Sequence, residues 1–483
     1  MTATRVVIAG GGIAGLSIAR ALTRQLPDAD VVVLEGRDRV GGNIRSDRVN
    51  GYLCEAGPDG FLDNAPATLA LVEEIGLADA LLPSRDAARR RFVFRGGRLH
   101  EVPLSPLAFL RSGILSAAGK LRVAAEPFSS RGPARDETIH EFAERHIGRE
   151  AADVLIGSMV SGIFAGDARQ LSLRACFPKM AEMEAAHRSL FRAMLAKRAS
   201  ARKGNGVGAP AGKLHSFTDG MEELPRALAA SLGRRVRVGT RVIALSPRRG
   251  YQPGQFPREV GARAFTVRAG GQSIEADAVV LAGPAPDSAE LVRPFDATLA
   301  DLLAKVPSAP LAVVSLGYDE GAIVRERGPL DGFGFLVPRE EGPRILGALW
   351  ESSIYPNRAP AGKALIRVMI GGATDPESIA LDDNELVDCV RRDLARTMNL
   401  LTAPEFVRVV RHRRGIPQYT VGHRNRLARI DARLSACPGL FVAGNSYRGV
   451  SINACIEDAP TVAARVADHV SRIAKIEDYS HAV

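Results

Sequence analysis

Short apolar runs, glycine-rich turns and amphipathic stretches follow one another at both ends of the 483-residue chain. At the N-terminus, "RVVIAG" (residues 5–10) leads through a glycine turn into "LSIARALTRQL", and a second apolar run, "ADVVVLEG", covers residues 29–36. Near the C-terminus, "LFVAGNSYRGVSINACIEDA" (440–459) repeats this order. Continuous apolar strands are typical of a parallel sheet covered by helices on both faces. The pattern predicts strand–turn–helix units at both ends.

The pattern between these ends changes several times. It is mainly helical from about residue 65 to 200, as in "SPLAFLRSGILSAAGKLRVAAEPF", and strand-like in "RRVRVGTRVIALS", in "EADAVVLAGPAP" and in several runs between about 290 and 410. We predict an α/β protein whose Rossmann-like nucleotide-binding domain is interrupted twice. Residues 1–90, 213–288 and 411–483 would form that domain, 91–205 a helical domain, and 289–410 a mixed α+β substrate-binding domain.

Composition narrows the class of protein. No run approaches the roughly 18 apolar residues of a membrane span, and the N-terminus enters a strand directly, so we expect a cytoplasmic protein. The five scattered cysteines (Cys54, Cys176, Cys389, Cys437 and Cys455) never form a CxxC spacing. This favours reduced thiols, and we predict no metal site.

The net charge of +10 suits an anionic membrane surface or a polycarboxylate substrate. The arginines are spread out, with no basic helix interleaved with aromatics, so nucleic acid is not expected as a partner. Apolar stretches of the helical segment accompany basic residues, which predicts peripheral contact with an anionic membrane; ordinary packing onto the protein is the alternative. These basic residues are Arg111, Lys120, Arg122, Lys197, Arg198 and Arg202.

The turn "GGGIAG" carries the spacing G-x-G-x-x-G. Gly10 allows a tight turn, Gly12 lets the backbone approach a pyrophosphate, and Gly15 lets the helix pack on the strand. The helix that begins at Ile13 and Ala14 would direct its positive end at phosphates. Glu35 ends the next strand, where a carboxylate can accept hydrogen bonds from ribose hydroxyls. Together these features predict a dinucleotide site.

A second glycine motif follows directly. Glu35-Gly36 leads into "RDRVGGNIRS", which supplies Arg39, Gly41 and Gly42. A flavoprotein needs this pair so that the chain can run close under the pyrophosphate and flavin, with Arg39 near the anionic end. The motif therefore points to FAD. A plain surface ion pair between Glu35 and Arg39 is the alternative.

Residues 35–46 and "YLCEAGPDGF" (52–61) resemble the FAD-dependent amine oxidase and protoporphyrinogen oxidase superfamily. Further stretches are similar to the protoporphyrinogen oxidases within it, in the same order along nearly the whole chain. They are "RRRFVFRGGRLHEVP" (89–103), "SGIFAGDARQLSLRACFP" (161–178), "FTDGMEELPRALA" (217–229), "PLDGFGFLVP" (329–338), "LGALWESSIYPNRAP" (346–360), "GIPQYTVGH" (415–423) and "GNSYRGVSINACI" (444–456).

The resemblance implies a non-covalent FAD protein that removes hydrogens from a porphyrinogen, with dioxygen as acceptor. It also implies that the Rossmann-like domain is of the glutathione-reductase and amine-oxidase type. The helix after "GVSINAC" (449–455) would point its N-terminus at the flavin and stabilise negative charge on the reduced ring. Residues near the flavin or adenine would be Gly57, Pro58, Val242, Gly444, Asn445, Val450, Ser451 and Ile452.

For the substrate, the resemblance implies that Arg91 pairs with a propionate, since a guanidinium fork suits a carboxylate. The alternative is a solvated run of Arg89, Arg90 and Arg91. Trp350 would lie near a pyrrole ring, with a buried core tryptophan as alternative. Phe333 and Leu336 would add to an apolar wall, and Gly162 would line the cavity.

Two departures from the family pattern affect the site. Ser451 and Ala454 stand where relatives more often have glycine and aspartate, and serine fits less well if φ is positive. Asp59, in "GPDGF", could accept a proton or stabilise positive charge on oxidised rings. A turn residue that caps the next helix is the reading we favour for Asp59.

Other functions stay open at this stage. One alternative is a flavin amine oxidase. Such enzymes usually carry a lysine beside the flavin, within the strand corresponding to "APLAVVSLGYD"; this strand has no lysine here, which weighs against that function. A carotenoid desaturase is a further alternative. Its substrate has no carboxylates, so a role for Arg91 would disfavour it. Coproporphyrinogen III is an alternative substrate, and an inactive FAD-fold porphyrin carrier is a further reading. The oligomeric state is open, a homodimer included.

Overall fold

The computed structural model describes residues 4–130, 132–193, 212–248 and 263–481, with side chains to residue 473. Its strands are β1 (Arg5–Ala9), β2 (Asp30–Leu34), β3 (Ser46–Val49), β4 (Tyr52–Glu55), β5 (Phe61–Leu62), β6 (Leu81–Pro83), β7 (Arg91–Arg95), β8 (Arg98–Glu101), β9 (Leu214–Phe217), β10 (Val236–Arg237), β11 (Val242–Pro247), β12 (Phe265–Ala269), β13 (Gln272–Ala276), β14 (Ala278–Leu281), β15 (Ser308–Asp319), β16 (Gly334–Leu336), β17 (Ile345–Leu349), β18 (Lys363–Gly371), β19 (Phe406–Pro417) and β20 (Leu440–Val442).

The α-helices are α1 (Ile13–Gln25), α2 (Pro66–Glu74), α3 (Pro106–Arg111), α4 (Ala117–Ala124), α5 (Ile139–Ile147), α6 (Arg149–Ala151), α7 (Ser158–Phe164), α8 (Leu173–Cys176), α9 (Pro178–His187), α10 (Glu223–Leu232), α11 (Ala285–Val292), α12 (Ala297–Ala304), α13 (Glu320–Arg327), α14 (Glu351–Ile354), α15 (Asp383–Met398), α16 (His423–Ser435) and α17 (Ile452–His481). A π-helical segment, Ala152–Gly157, joins α6 to α7.

A five-stranded parallel sheet in the order β10-β2-β1-β14-β20 unites the two ends of the chain. Helices α1 and α17 cover one face of this sheet around Ile8 and Val33. The other face packs against β11–β13 and helices α11, α12 and α16 around Val7 and Val32. Coverage on both faces explains the continuous apolar strands, and the predicted α/β class is confirmed.

A seven-stranded sheet in the order β19-β15-β18-β17-β16-β7-β8 forms the second body. Its outer face packs on α13 and α15. Its inner face is turned toward the nucleotide-binding part, where the imidazole Nε2 of His412 lies 2.7 Å from the carbonyl oxygen of Ala56. Strands β7 and β8 join this sheet, although residues 91–101 were assigned to the helical domain. The domain limits themselves stay a prediction.

Helices α3 to α6 and the π-helical segment share a core with β7, whereas α7 packs on β16 and β17. Val93 of β7 contacts Ile114, Leu115 and Val154 in a small core of their own. Within the described ranges, no helix is long and apolar enough to cross a bilayer. The expected basic residues Lys197, Arg198 and Arg202 lie outside the described residues.

Candidate active site

Helix α1 begins at a glycine turn that leaves its first N–H groups free for a ligand. Gly12 occupies the N-cap position without a side-chain cap, and the first turn has no acidic residue. A Cβ on Gly15 would lie 2.0 Å from the carbonyl oxygen of Gly10, so only glycine fits there. The uncapped N–H groups and the helix dipole together make an anion-binding site.

The separate glycine turns predicted from the sequence meet at this helix. The amide N–H of Gly41 donates to the carbonyl of Gly11 at 2.8 Å. A Cβ on Gly42 would lie 3.5 Å from the Cα of Gly12. Gly444 adopts φ +102°, and a Cβ there would lie 3.5 Å from the Cβ of Ala14. A backbone-lined groove therefore runs between segments some four hundred residues apart.

Glu35 lies beside this groove with a buried carboxylate. Its Oε2 accepts from the amide N–H of Gly11 at 2.7 Å, and its Oε1 accepts from the N–H of Arg37 at 2.8 Å. The carbonyl of Glu35 accepts from the N–H of Thr240 at 2.7 Å, so the half-buried Val242 follows close by. The side chain of Arg241 approaches Gly36. Each carboxylate oxygen keeps a lone pair that can accept from a ribose hydroxyl.

Arg39 supports the second glycine turn and makes no ion pair with Glu35. Its guanidinium donates to the carbonyls of Val40, Gly42 and Ile44 at 2.8–3.1 Å. Burial lowers the pKa of Arg39. The Glu35–Arg39 surface pair, the alternative reading of this motif, is therefore not formed.

The third glycine segment, residues 444–451, ends in the N-cap of α17. The Oγ of Ser451 accepts from the N–H of Ala454 at 3.1 Å, immediately before α17. The φ of Ser451 is not positive, so serine causes no backbone strain at this position. The left-handed position is Gly449 (φ +86°), where a Cβ would lie 2.3 Å from the Cβ of Ala454. Both departures from the family pattern thus belong to one compact turn.

Neighbouring side chains fix the rest of this segment. The hydroxyl of Tyr419 donates to the carbonyl of Asn445 at 2.6 Å. Val450 packs against the helical region beside Val160 and Phe164. Ile452 is buried as the first residue of α17.

Residue Gly57 lies where the loop after β4 passes under the inner face of the large sheet. A Cβ on Gly57 would lie 2.0 Å from the carbonyl oxygen of Asn43, so only glycine lets the loop pass this close to the second glycine turn. The carbonyl of Gly57 accepts a hydrogen bond from Nη2 of Arg367. The loop that carries Pro58 and Asp59 is therefore held between both bodies.

Arg91 differs from its two neighbours in having no acidic partner. Arg89 lies 3.5 Å from Asp86, and Arg90 pairs with Glu101 and Asp331. Within the described residues, no acceptor lies within hydrogen-bond or ion-pair distance of the exposed Arg91 guanidinium. Its Cζ lies 5.0 Å from the ring centre of Phe333. The alternative of a uniformly solvated arginine run does not describe Arg91.

Two further predicted residues, Gly162 and Leu336, touch one another. A Cβ on Gly162 would lie 2.6 Å from Cδ2 of Leu336, so α7 packs tightly on β16 there. Phe333 clusters with Leu349, Ile354 and Tyr355. The apolar wall is thus built from β16, β17 and α14.

The prediction that Trp350 lines this wall is wrong. Trp350 is 1% exposed and belongs to the core between the sheet and α15, on the outer face. Its ring lies 5.3 Å from that of Phe92 and beneath Arg327. The preceding residue, Leu349, faces Phe333, and strand alternation turns Trp350 to the opposite side. Trp350 is therefore the core tryptophan of the alternative reading.

Asp59 does not cap the next helix, which was the reading we favoured. Ala65 is the N-cap of α2. The Oδ1 of Asp59 instead lies 3.7 Å from Nη1 of Arg367, and its buried Oδ2 has no hydrogen-bond partner among the described residues.

Sequence reasoning missed the charged residues behind Asp59. Glu351, Arg358 and Arg367 are at most 4% exposed. Arg367 lies opposite Leu349 in the β17–β18 register, which places its side chain on the inner face. Burial, with Asp59 as second cause, raises the pKa of Glu351 to about 7. The sequence contained one signal for this cluster: Glu351 is an acidic residue that follows the buried strand β17 after a single residue.

These elements fit a flavin dinucleotide. An uncapped helix N-terminus suits the pyrophosphate, the Glu35 carboxylate suits a ribose, and Gly12, Gly42 and Gly444 present no side chains of their own to a ligand. The N-terminus of α17, capped by Ser451, supplies a second positive helix end near Gly444.

The sequence is similar to proteins of known family. Residues 13–467 match the sequence profile of the flavin-containing amine oxidoreductases. The chloroplastic protoporphyrinogen oxidase 1 of Arabidopsis thaliana is 35% identical, covering 98% of this chain and 89% of that protein. The protoporphyrinogen oxidase of Homo sapiens is 36% identical (95% and 98% covered). The coproporphyrinogen III oxidase of Bacillus subtilis is 30% identical (94% and 95%).

Solved structures agree on the fold. A proposed protoporphyrinogen oxidase from an Exiguobacterium species superposes with a TM-score of 0.82 at 27% identity, covering 97% of this chain and 99% of that one. The cyclohexylamine oxidase of Brevibacterium oxydans superposes with a TM-score of 0.67 at 18% identity, covering 97% and 100%, which shows the fold alone. The chain belongs to the flavin-containing amine oxidoreductase family.

Proposed function

We propose that this protein oxidises protoporphyrinogen IX to protoporphyrin IX in tetrapyrrole biosynthesis, with non-covalent FAD and dioxygen as successive electron acceptors. The observation that carries the proposal is Arg91, a guanidinium without an acidic partner beside an apolar wall. Such a site suits a large apolar ring that bears carboxylates. The relatives named protoporphyrinogen oxidase, which cover nearly the whole chain, point to the same substrate.

The residues of the chain divide the work of binding and orientation. Arg91 would hold a propionate, while Phe333, Leu336 and Leu349 would contact the macrocycle through apolar surface. Gly162, which lies within α7 rather than in a turn, would close the wall on that side. In this arrangement substrate orientation, rather than a nucleophilic side chain, supplies much of the rate enhancement.

The cofactor would be held by the three glycine segments, Glu35 and the backbone near Val242. FAD held there would supply the redox chemistry, a hydride acceptor for the meso carbon that is reoxidised by dioxygen. The N-termini of α1 and α17 favour negative charge in the groove. Asp59 would accept a proton at its free Oδ2.

Anaerobic mixing of the FAD-loaded enzyme with protoporphyrinogen IX tests the proposal. We expect the oxidised flavin absorption to bleach, and porphyrin fluorescence to rise further when air is admitted. A bound flavin that stays oxidised with this substrate contradicts the proposal and directs attention to amines and polyenes. Failure to bind flavin at all would support the porphyrin-carrier reading instead.

Coproporphyrinogen III is the second candidate substrate, favoured by the relative from Bacillus subtilis. It carries more propionates than protoporphyrinogen IX, so a further cation besides Arg91 would be needed to read them. The ratio of kcat/KM for the two porphyrinogens decides between them. A flavin amine oxidase is less favoured because β15 contains no lysine.

We further propose that the helical region docks on an anionic membrane surface. Exposed apolar side chains concentrate there: Leu104 is 81% exposed, Leu121 73% and Phe128 85%, with Leu107 and Leu110 more than half exposed. Arg111 and Arg122 lie within the same helices. Apolar side chains flanked by cations match the chemistry of a lipid interface.

A further inference from the structure

A buried cluster of charged groups lies between the flavin-side loop and the inner face of the large sheet. Glu351 is 1% exposed, with Oε1 3.6 Å from Nη1 of Arg367 and Oε2 3.9 Å from Nε of Arg358. The same Nη1 of Arg367 lies 3.7 Å from Oδ1 of Asp59. One guanidinium nitrogen therefore bridges two carboxylates from opposite bodies of the molecule.

Neither oxygen of Glu351 accepts a hydrogen bond within the described part of the chain. The third carboxylate, Glu55, differs because it accepts from the Oγ of Ser46 and the N–H of Met221 at 2.7 and 2.9 Å. It also lies 3.4 Å from Nη2 of Arg358. An ionised carboxylate that is buried without hydrogen bonds is costly, so Glu351 is the member of the cluster best suited to hold a proton.

The charge balance of the cluster supports this assignment. Three carboxylates (Glu55, Asp59 and Glu351) face two guanidinium groups (Arg358 and Arg367). Cys54, Tyr355 and His412 are neutral at ordinary pH, because burial raises the pKa of Cys54 to about 12, raises that of Tyr355 and lowers that of His412. Glu223, which also interacts with Arg358, adds a further carboxylate and no positive charge. With all groups ionised the cluster would carry one excess negative charge, which one bound proton removes.

We propose that Asp59 and Glu351, bridged by Arg367, act as one coupled carboxylate pair that takes up the pyrrole N–H proton released in each oxidation step. This inference rests on the proposed function. The N–H bond breaks, its electron pair stays on the ring nitrogen and joins the π system, and a carboxylate O–H bond forms. Asp59, whose side chain is 18% exposed, would receive the proton first, and the buried Glu351 would share it.

The pair is poised for this task. The negative charge of Asp59 disfavours ionisation of Glu351, so a proton on Glu351 is held more tightly than on an isolated carboxylate. The pKa of Glu351, raised to about 7 by burial, lies where a general base works best at neutral pH.

The first test is an infrared pH titration of the FAD-loaded enzyme without substrate. In the wild type we expect a protonated-carboxyl band that disappears as the pH rises, with a midpoint near pH 7. The variant Glu351→Gln should lack this band and keep its flavin content. Asp393→Asn is the matched control, because burial also raises the pKa of Asp393 but it hydrogen-bonds the backbone of Arg344 and Ile345 elsewhere. That variant should keep the band.

The second test is the pH profile of kcat/KM for porphyrinogen oxidation. In the wild type, activity should fall on the acid side with a midpoint near 7. In Glu351→Gln this limb should move to lower pH, and the plateau should fall roughly tenfold to a hundredfold because a weaker acceptor remains. A merely structural role would lower activity without moving the limb.

The outcomes separate the pair from the proposed function. A wild-type protein with no titrating carboxyl band, or a band removed by Glu55→Gln instead of Glu351→Gln, overturns the pair whatever the substrate. An unchanged pH limb in Glu351→Gln also overturns it. A titrating band in a protein that does not oxidise porphyrinogens leaves the coupled pair standing and refutes the proposed function.

Discussion

Arg91 shows how a single side chain can be distinguished from its sequence neighbours. Arg89, Arg90 and Arg91 are chemically identical, yet two of them are placed beside carboxylates and the third beside the ring of Phe333. A cation that its own protein leaves unpaired is free to bind an anion from outside. This is the physical ground for assigning substrate recognition to Arg91.

Replacing Arg91 with alanine should raise KM for the porphyrinogen by about tenfold to a hundredfold, since a charge-assisted hydrogen bond contributes roughly 1.5–3 kcal/mol. The variant Arg91→Lys should recover part of the loss, because it keeps the charge without the fork. Steady-state fluorimetry of porphyrin formation measures both. Arg89→Ala is the control, and an equal effect of the two alanine variants would contradict the assignment.

The raised pKa of Glu351 also predicts how the stability of the fold depends on pH. Its pKa is raised from 4.5 to about 7, so between these values the folded state holds a proton that the unfolded state has lost. The free energy of unfolding therefore decreases as the pH rises through this window and levels off above it. In Glu351→Gln this contribution is absent.

Thermal unfolding at pH values on either side of the window measures the effect. The melting temperature of Glu351→Gln relative to the wild type should increase by roughly 3 °C from the acid to the alkaline side. Comparing the two proteins cancels other titrating groups. A constant difference across the window would show that Glu351 does not titrate there.

At the scale of elements, regular periodicity made the strands and glycine turns predictable. The runs at β1, β2, β14 and β20 are apolar throughout because both faces of their sheet are covered. Glycine spacing likewise indicated the turns that meet at α1. These features are local, so one sequence carries enough information to find them.

The predictions for Asp59 and Trp350 failed for different reasons, and the first failed because of a contact between distant elements. The pairing of Asp59 with Arg367 joins a loop to a strand more than three hundred residues away, and no local pattern indicates it. The error at Trp350 was avoidable, because the alternation along β17 places Leu349 and Trp350 on opposite faces. Tertiary context therefore decided the position of Asp59, whereas local alternation already indicated that of Trp350.

The helices α3 and α4 carry the prediction for membrane contact. Changing Leu107, Leu110 and Leu121 to serine together should abolish flotation with anionic vesicles while leaving flavin content unchanged, because these side chains are exposed and support no core. Leu401→Ser is the control, since Leu401 is 67% exposed on another part of the surface. Flotation that neither change affects, or no flotation of the wild type at low salt, would refute the proposed surface.

At the scale of the whole molecule, the proposed cofactor site is assembled from three segments that are distant in the sequence. The turn at Gly42 approaches Gly12, and Gly444 approaches Ala14 where β20 pairs with β14. A ligand that spans all three binds the folded state and not the unfolded chain. Binding should therefore stabilise the entire fold.

Adding FAD to the flavin-free protein should raise its melting temperature by several degrees, since a thousandfold excess over Kd contributes about 4 kcal/mol. FMN should give a much smaller shift, because it lacks the second phosphate, ribose and adenine that Gly12, Glu35 and Val242 would hold. Differential scanning calorimetry with each flavin measures the contrast. If FMN stabilises the protein as much as FAD, the N-terminal glycine turn does not bind the dinucleotide, and the account of why the chain carries it fails.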